Sequence, residues 1–178
     1  DVTGVQTCAL PISEKIQEAA MWHVDKHVVK MPLESAQMLC TSLHFYGKDS
    51  PYKPVHKKHP CTLWAAETRS NFLWLCELGL ALCNEFTYRY GKIHSSQDVL
   101  KRCVKWSRHI PYGTLTKFAV AMPDEYKNND AVTAYRNYYR KVKLHLAEWR
   151  NREAPFWYYE KESNNAIQQE CSVGVAGS

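Results

Sequence analysis

The sequence predicts an all-α fold, a compact multi-helix bundle with long basic loops, on three observations. Apolar residues recur at three- and four-residue steps over long stretches, which is the spacing of one helix face. Prolines and glycines fall between those stretches, where loops are needed. No apolar–polar alternation runs long enough to demand a sheet.

The first periodic stretch starts at Ser13, with Ala20, Val24, Val28, Met31, Ser35 and Met38 on one face, and Pro32 is expected to kink or split it. Residues 47–58 hold Gly47, Asp49, Ser50, Pro51 and Pro54 and are expected to be loop. Pro60 suits a helix first turn, and Trp64, Asn71, Leu75, Leu78 and Leu82 extend one long helix to a stop at Gly91. Ser95 with Asp98 has the spacing of a capping box for a short helix reaching about Ser107. Residues 109–129, with Pro111, Gly113 and Pro123, read as irregular. Asp130 then caps a last helix whose apolar face is Val132, Tyr135, Tyr139, Val142, Leu146 and Trp149, and Pro155 closes the region.

With 178 residues, one domain with one core is expected, over 14–159. Gly4-Val5-Gln6-Thr7-Cys8-Ala9-Leu10-Pro11-Ile12-Ser13 resembles a translated sequencing-adaptor scar of metagenomic assemblies. Residues 1–13 are therefore set aside as non-native, and natural sequence is expected to begin near Ser13 or Glu14. Residues 160–178 read as a polar, mobile tail. An apolar share of 45 % with 23 % charged residues excludes the disordered class. No stretch has the length and apolarity of a membrane span, and seven Cys without a repeated spacing suggest reduced thiols. The expected setting is the cytoplasm of a bacterial host, with no membrane partner.

The net charge of +5 decides little, but its distribution is uneven. Lys53, Lys57 and Lys58 sit with His56 and His59. A second cluster holds Lys101, Arg102, Lys105 and Arg108, and a third Arg136, Arg140, Lys141 and Lys143. Such clusters either attract polyanions or are solvated helix faces.

Two segments carry candidate chemistry. His23, His27, Lys30, Glu34 and Gln37 are spaced four, three, four and three apart, a polar stripe flanked by Asp25 and Lys26 that concentrates groups able to bind anions or move protons. A solvated face is the competing explanation. The second segment, Tyr52 to Pro60, is a basic loop entering a helix N-terminus, where free N–H groups and the helix dipole favour phosphate. Folded against the stripe, it would make a cationic pocket with one carboxylate, and Tyr52 could stack on a base. His56, His59 and Cys61 match no standard zinc spacing, so neither a metal nor a cofactor is expected. Most other aromatics, Trp22, Trp64 and Trp74 among them, are assigned to the core.

Taken in order, Asp25-Lys26-His27-Val28-Val29-Lys30, Glu34, Gln37, His59-Pro60, Trp64 and Leu78-Gly79-Leu80-Ala81-Leu82-Cys83-Asn84-Glu85 resemble small phage and bacterial proteins assigned to the pyrimidine-dimer DNA glycosylase (endonuclease V-like) family. The resemblance covers residues 14–158. It implies a compact helical protein that recognises damaged duplex DNA, in which a primary amine attacks the sugar C1′ to form a Schiff base while a carboxylate assists. The family's nucleophile is the α-amine of the mature N-terminus, where adaptor-like sequence stands here. Its Arg–Glu pair falls near Lys26 and His27, where no carboxylate stands. The implied roles are then Lys26 or Lys30 (or the lost α-amine) as nucleophile and Glu34 or Asp25 as acid–base group. His23, His27, Tyr52, Lys53, His56, Lys57, Lys58, His59 and Arg89 would bind ligand and phosphate.

The partner is thus expected to be DNA or a small nucleotide. Two alternatives stand beside a glycosylase and AP lyase: a non-catalytic phage protein that sequesters a small nucleotide immune signal, and a helical protein-interaction domain.

Overall fold

The computed structural model describes residues 11–142 and 144–159, and among them the regular structure is helical throughout. The order is α1 (Ile16–Trp22), α2 (Asp25–Phe45), α3 (Pro60–Glu67), α4 (Arg69–Tyr90), α5 (Gln97–Trp106) and α6 (Ala131–Val142), with short 3₁₀ turns at Ser107–His109, Asp124–Tyr126, Leu144–Leu146 and Phe156–Tyr158. The fold is all-α, as the periodicity predicts. The polar tail at 160–178, Lys143, and most of the segment set aside at 1–13 lie outside the described residues.

The breaks differ from those expected, for local reasons. α2 runs unbroken through Pro32; the chain instead turns at His23–Val24, both extended, between α1 and α2. Proline removes one N–H and crowds the preceding turn, and here burial holds the helix together: Pro32 is itself buried, as are Val28, Met31 and Leu39 of α2. The long helix expected from Pro60 divides at Thr68, which is extended and whose Oγ1 accepts from Asn71 N at 3.1 Å, starting α4 afresh. The Ser95–Asp98 box does not form. Ser96 is the residue before α5, and its N–H donates to His94 Nδ1. Asp130 does cap α6 through Thr133 N at 2.9 Å, and Gly91 ends α4 at φ 66. The face expected to continue to Trp149 stops at Val142 as helix, giving way to the 3₁₀ turn and a loop.

α4 is the central element, packed on α1, α2, α3 and α5. Its buried face, Phe72, Leu75, Cys76, Leu78, Leu82 and Cys83, meets Val28, Met31, Leu39 and Leu43 of α2. Trp64, Trp74 and Phe118 cluster at one side with ring centroids 4.5 to 5.8 Å apart, the core-filling role expected of the two tryptophans. The irregular span before α6 is tied down by Asn71, whose Nδ2 donates to Trp64 O and Thr116 Oγ1 while its Oδ1 accepts from Thr116 N. Ile12, set aside on sequence grounds, is fully buried, and its carbonyl accepts from Arg136 Nε at 2.8 Å. Cys40, Cys76, Cys83 and Cys103 are buried free thiols, whereas Cys61 is disulfide-bonded and so departs from the expected reduced state.

Gly79 is where three helices come closest. A Cβ there would lie 2.8 Å from Leu100 Cδ2 of α5 and 3.3 Å from Ser35 Cβ of α2. Alanine would gain about 1 kcal/mol of helix propensity, but forcing a methyl into a filled contact costs about 1–3 kcal/mol. Gly79→Ala is expected to lower stability by about 1 kcal/mol in a urea titration; a raised midpoint would show that Leu100 can move aside.

Candidate functional site

The expected stripe on α2 separates into three environments. His23 and His27 are buried, at 0 % and 4 % exposure. His27 Nδ1 lies 2.9 Å from Tyr139 Oη, which also accepts Val24 N–H at 2.9 Å. His23 Nδ1 bonds Ala19 O, and its ring lies edge-on to those of His27 and Tyr139. Both imidazoles therefore pack where α6 meets the α1–α2 junction, and their assignment to an anion-binding surface is corrected: they are core groups.

Asp25 is likewise structural. Its Oδ1 accepts from Arg89 Nη1 at 2.9 Å, and its carboxylate accepts from Arg150 N. Arg89, expected as a phosphate contact, has no exposed side-chain surface. Its Nε donates to Glu85 Oε1 at 2.7 Å, Nη1 also donates to His23 O, and Nη2 donates to Met21 O. Arg152 closes the network on Glu85 with bonds of 2.9 and 3.0 Å. Burial pushes the Glu85 carboxyl up, but the bonds from Arg152 and Arg89 outweigh it and hold it below the usual carboxylate range.

What remains outside these networks is Lys26, Lys30 and the buried Glu34. Lys26 and Lys30 are exposed, and Lys30 Nζ lies 2.9 Å from Glu34 Oε1, one helical turn on, with the carboxylate side chain 11 % exposed. His27, Glu34 and Thr41 are seven apart and so lie along one edge of α2. Thr41 anchors the basic loop to that edge: its Oγ1 accepts from Val55 N at 3.0 Å and lies 2.9 Å from Val55 O. From there Lys53, His56, Lys57 and Lys58 are all exposed. Loop and ion pair thus share an edge of α2, with Lys30 and Thr41 about 16 Å apart by helical rise. The arrangement is a track along the helix.

Tyr52 is half-buried against the core with its hydroxyl 3.2 Å from Ser96 Oγ, so its ring serves the loop's anchorage. His59 is the residue before α3, its Nδ1 accepting from Cys61 N at 3.2 Å, which takes up one of the N–H groups otherwise open to phosphate. His56 has φ 53, a left-handed conformation that holds the turn before His59. Thr41, Ser96 and the ion-pairing role of Glu85 escape sequence reasoning, because a hydroxyl or a lone glutamate carries no signal until its partner is located. Among the described residues, no group of three His, Cys, Asp or Glu is placed to hold a metal. Comparison with protein-family models, curated proteins and solved structures found no match.

Removing the guanidinium would leave buried Glu85 with Arg152 alone and Asp25 with the Arg150 N–H alone, and breaking a buried ion pair typically costs about 3–5 kcal/mol. Arg89→Ala is expected to unfold at markedly lower denaturant; a loss under about 1 kcal/mol would show the network to be dispensable.

A second consequence concerns acid. Burial, opposed by the bond to Ala19 O, lowers His23 from 6.5 to about 4. Between those values the unfolded chain binds a proton on this residue and the folded chain does not. Folding is therefore penalised as pH falls from 6.5 towards about 4, by about 3 kcal/mol in total. A His23→Gln variant should show a flatter acid limb of stability against pH; an unchanged limb would assign acid sensitivity elsewhere.

Proposed function

We propose that this chain binds the phosphates of a nucleic acid or nucleotide through the loop Tyr52–His59, and that it acts on nucleic acid as a glycosylase/AP lyase with Lys30 and Glu34 as the reacting pair. One observation carries the binding half. Lys53, Lys57 and Lys58 are exposed and make no ion pair with a described residue, on a backbone fixed to α2 by Thr41. Lysines on one loop with no carboxylate partner among the described residues raise the local positive potential, and their contact with phosphates releases counterions condensed on the nucleic acid.

The catalytic half rests on the Lys30–Glu34 pair together with the sequence resemblance. An amine attacks the aldehydic C1′ of an abasic sugar only when unprotonated. Glu34, 2.9 Å away, takes the ammonium proton as the amine adds to C1′ and returns it to the carbinolamine hydroxyl, which leaves as water as the iminium forms and the carboxylate is regenerated. The same carboxylate could then accept the C2′ proton as the 3′ phosphate departs. Asp25 has no such role, being held by Arg89 and Arg150.

A specific observation favours the second reading, nucleotide sequestration without turnover. Lys30 is exposed and ion-paired with Glu34 at 2.9 Å along the edge of α2 to which Thr41 pins the basic loop, and cations so ranged hold phosphate with no reacting step.

Two measurements separate these. Borohydride should trap wild-type protein covalently on abasic duplex DNA, and Lys30→Ala should lose the adduct while binding within about threefold of wild type. No adduct from wild type would remove the lyase and leave sequestration. Lys57→Ala with Lys58→Ala should weaken binding about tenfold at physiological salt, and unchanged binding would reject the loop as the contact.

A further inference from the structure

A second cationic surface lies on α5, away from the Lys30–Glu34 pair. Lys101 and Lys105 are four apart and so share one face of α5, with Arg102 beside them and Arg108 in the 3₁₀ turn that follows. All four are exposed, and none forms an ion pair with a described residue. The opposite face of the helix, Leu100 and Cys103, is fully buried, so the rigid core fixes where these charges stand. Asp98, in the first turn, is the one acidic residue of α5. Around His109, just past the helix, desolvation and the positive charges of Lys48 and Arg108 lower the imidazole's pKa.

The segment leading into the loop runs past this helix. Tyr52 Oη lies 3.2 Å from the Oγ of Ser96, the residue before α5, so the loop begins against the start of that helix. The α5 face and the basic loop are therefore neighbouring parts of one surface. From Lys101 through the 3₁₀ turn to Arg108 the chain advances about 10 Å, a length over which one strand of duplex carries about three phosphates.

We infer that the exposed face of α5 is a second phosphodiester-backbone contact, so that the ligand is a polynucleotide lying across both α5 and the loop. Spacing decides for a polymer: a single nucleotide held at the loop presents no phosphate to cations ranged along a separate helix. The inference extends the loop reading, and the two can fail separately.

The test measures a labelled duplex of about twenty base pairs and thymidine monophosphate against full-length protein, from about 50 to 200 mM salt. For Lys101→Ala/Lys105→Ala/Arg108→Ala, duplex affinity should fall about tenfold or more. The slope of log K against log salt should become shallower by about two to three, at about 0.9 per lost phosphate contact. Monophosphate binding should not change. Because all three side chains are exposed, unfolding midpoints should match wild type and confirm an intact fold. Unchanged duplex affinity and slope in this variant would overturn the inference, as would loss of binding to phosphatidylserine vesicles with duplex binding retained. A variant in which Lys57→Ala/Lys58→Ala has no effect on either ligand, while the α5 substitutions still weaken duplex, would sustain the α5 contact and reject the loop.

Discussion

The structure depends on one buried guanidinium. Arg89, near the end of α4, reaches the break between α1 and α2 and donates to two carboxylates and two main-chain carbonyls. A buried cation is stable only when its charge and its hydrogen-bonding capacity are both met, and Asp25 and Glu85 meet the first while Met21 O and His23 O help meet the second. Each carboxylate then takes a further partner from the C-terminal region, Arg150 N on Asp25 and Arg152 on Glu85. One charge-balanced set of four side chains thus positions α1, α2, α4 and the segment around residue 150. It also sets the rotation of α2, and with it which residues of the stripe face outward.

That rotation explains what the sequence could and could not say. Periodicity located the helices because burial of one face is a local pattern, and Gly91 and Asp130 were legible because a left-handed turn and an N-terminal cap need particular residues. The interruption at Thr68 was not legible, since Thr is tolerated inside a helix and its capping bond appears only once the chain turns. Nor was the passage of α2 through Pro32, where tertiary packing overrides a local preference. At the site, Lys30, Glu34 and the loop lysines could be read from charge. The placement of His23, His27, Asp25 and Arg89 could not, because a stripe at helical spacing says which side chains are neighbours and not which way the helix faces. Tyr139, more than a hundred residues away, decides that for the two histidines.

The surface left after these assignments is simpler than the sequence suggests. The Lys30–Glu34 ion pair, a pinned basic loop and the cations along and just past α5 stand on a frame held by the Arg89 network. Rigid anchorage matters here, because a cation on a mobile loop loses conformational entropy when it binds, whereas one on a loop already held by Thr41 and Ser96 loses less.

The clamp on the C-terminal region has a further consequence, for biosynthesis. Asp25 waits for Arg150, 125 residues later, and Trp22 O waits for the Trp149 indole N–H, 127 residues later. A nascent chain on the ribosome can form α2 and α4 early, but it carries Glu85 and Asp25 without their last partners until that region has left the exit tunnel. Contacts of such sequence separation delay completion of a fold, so the native state should be reached only after nearly all of this domain has been synthesised.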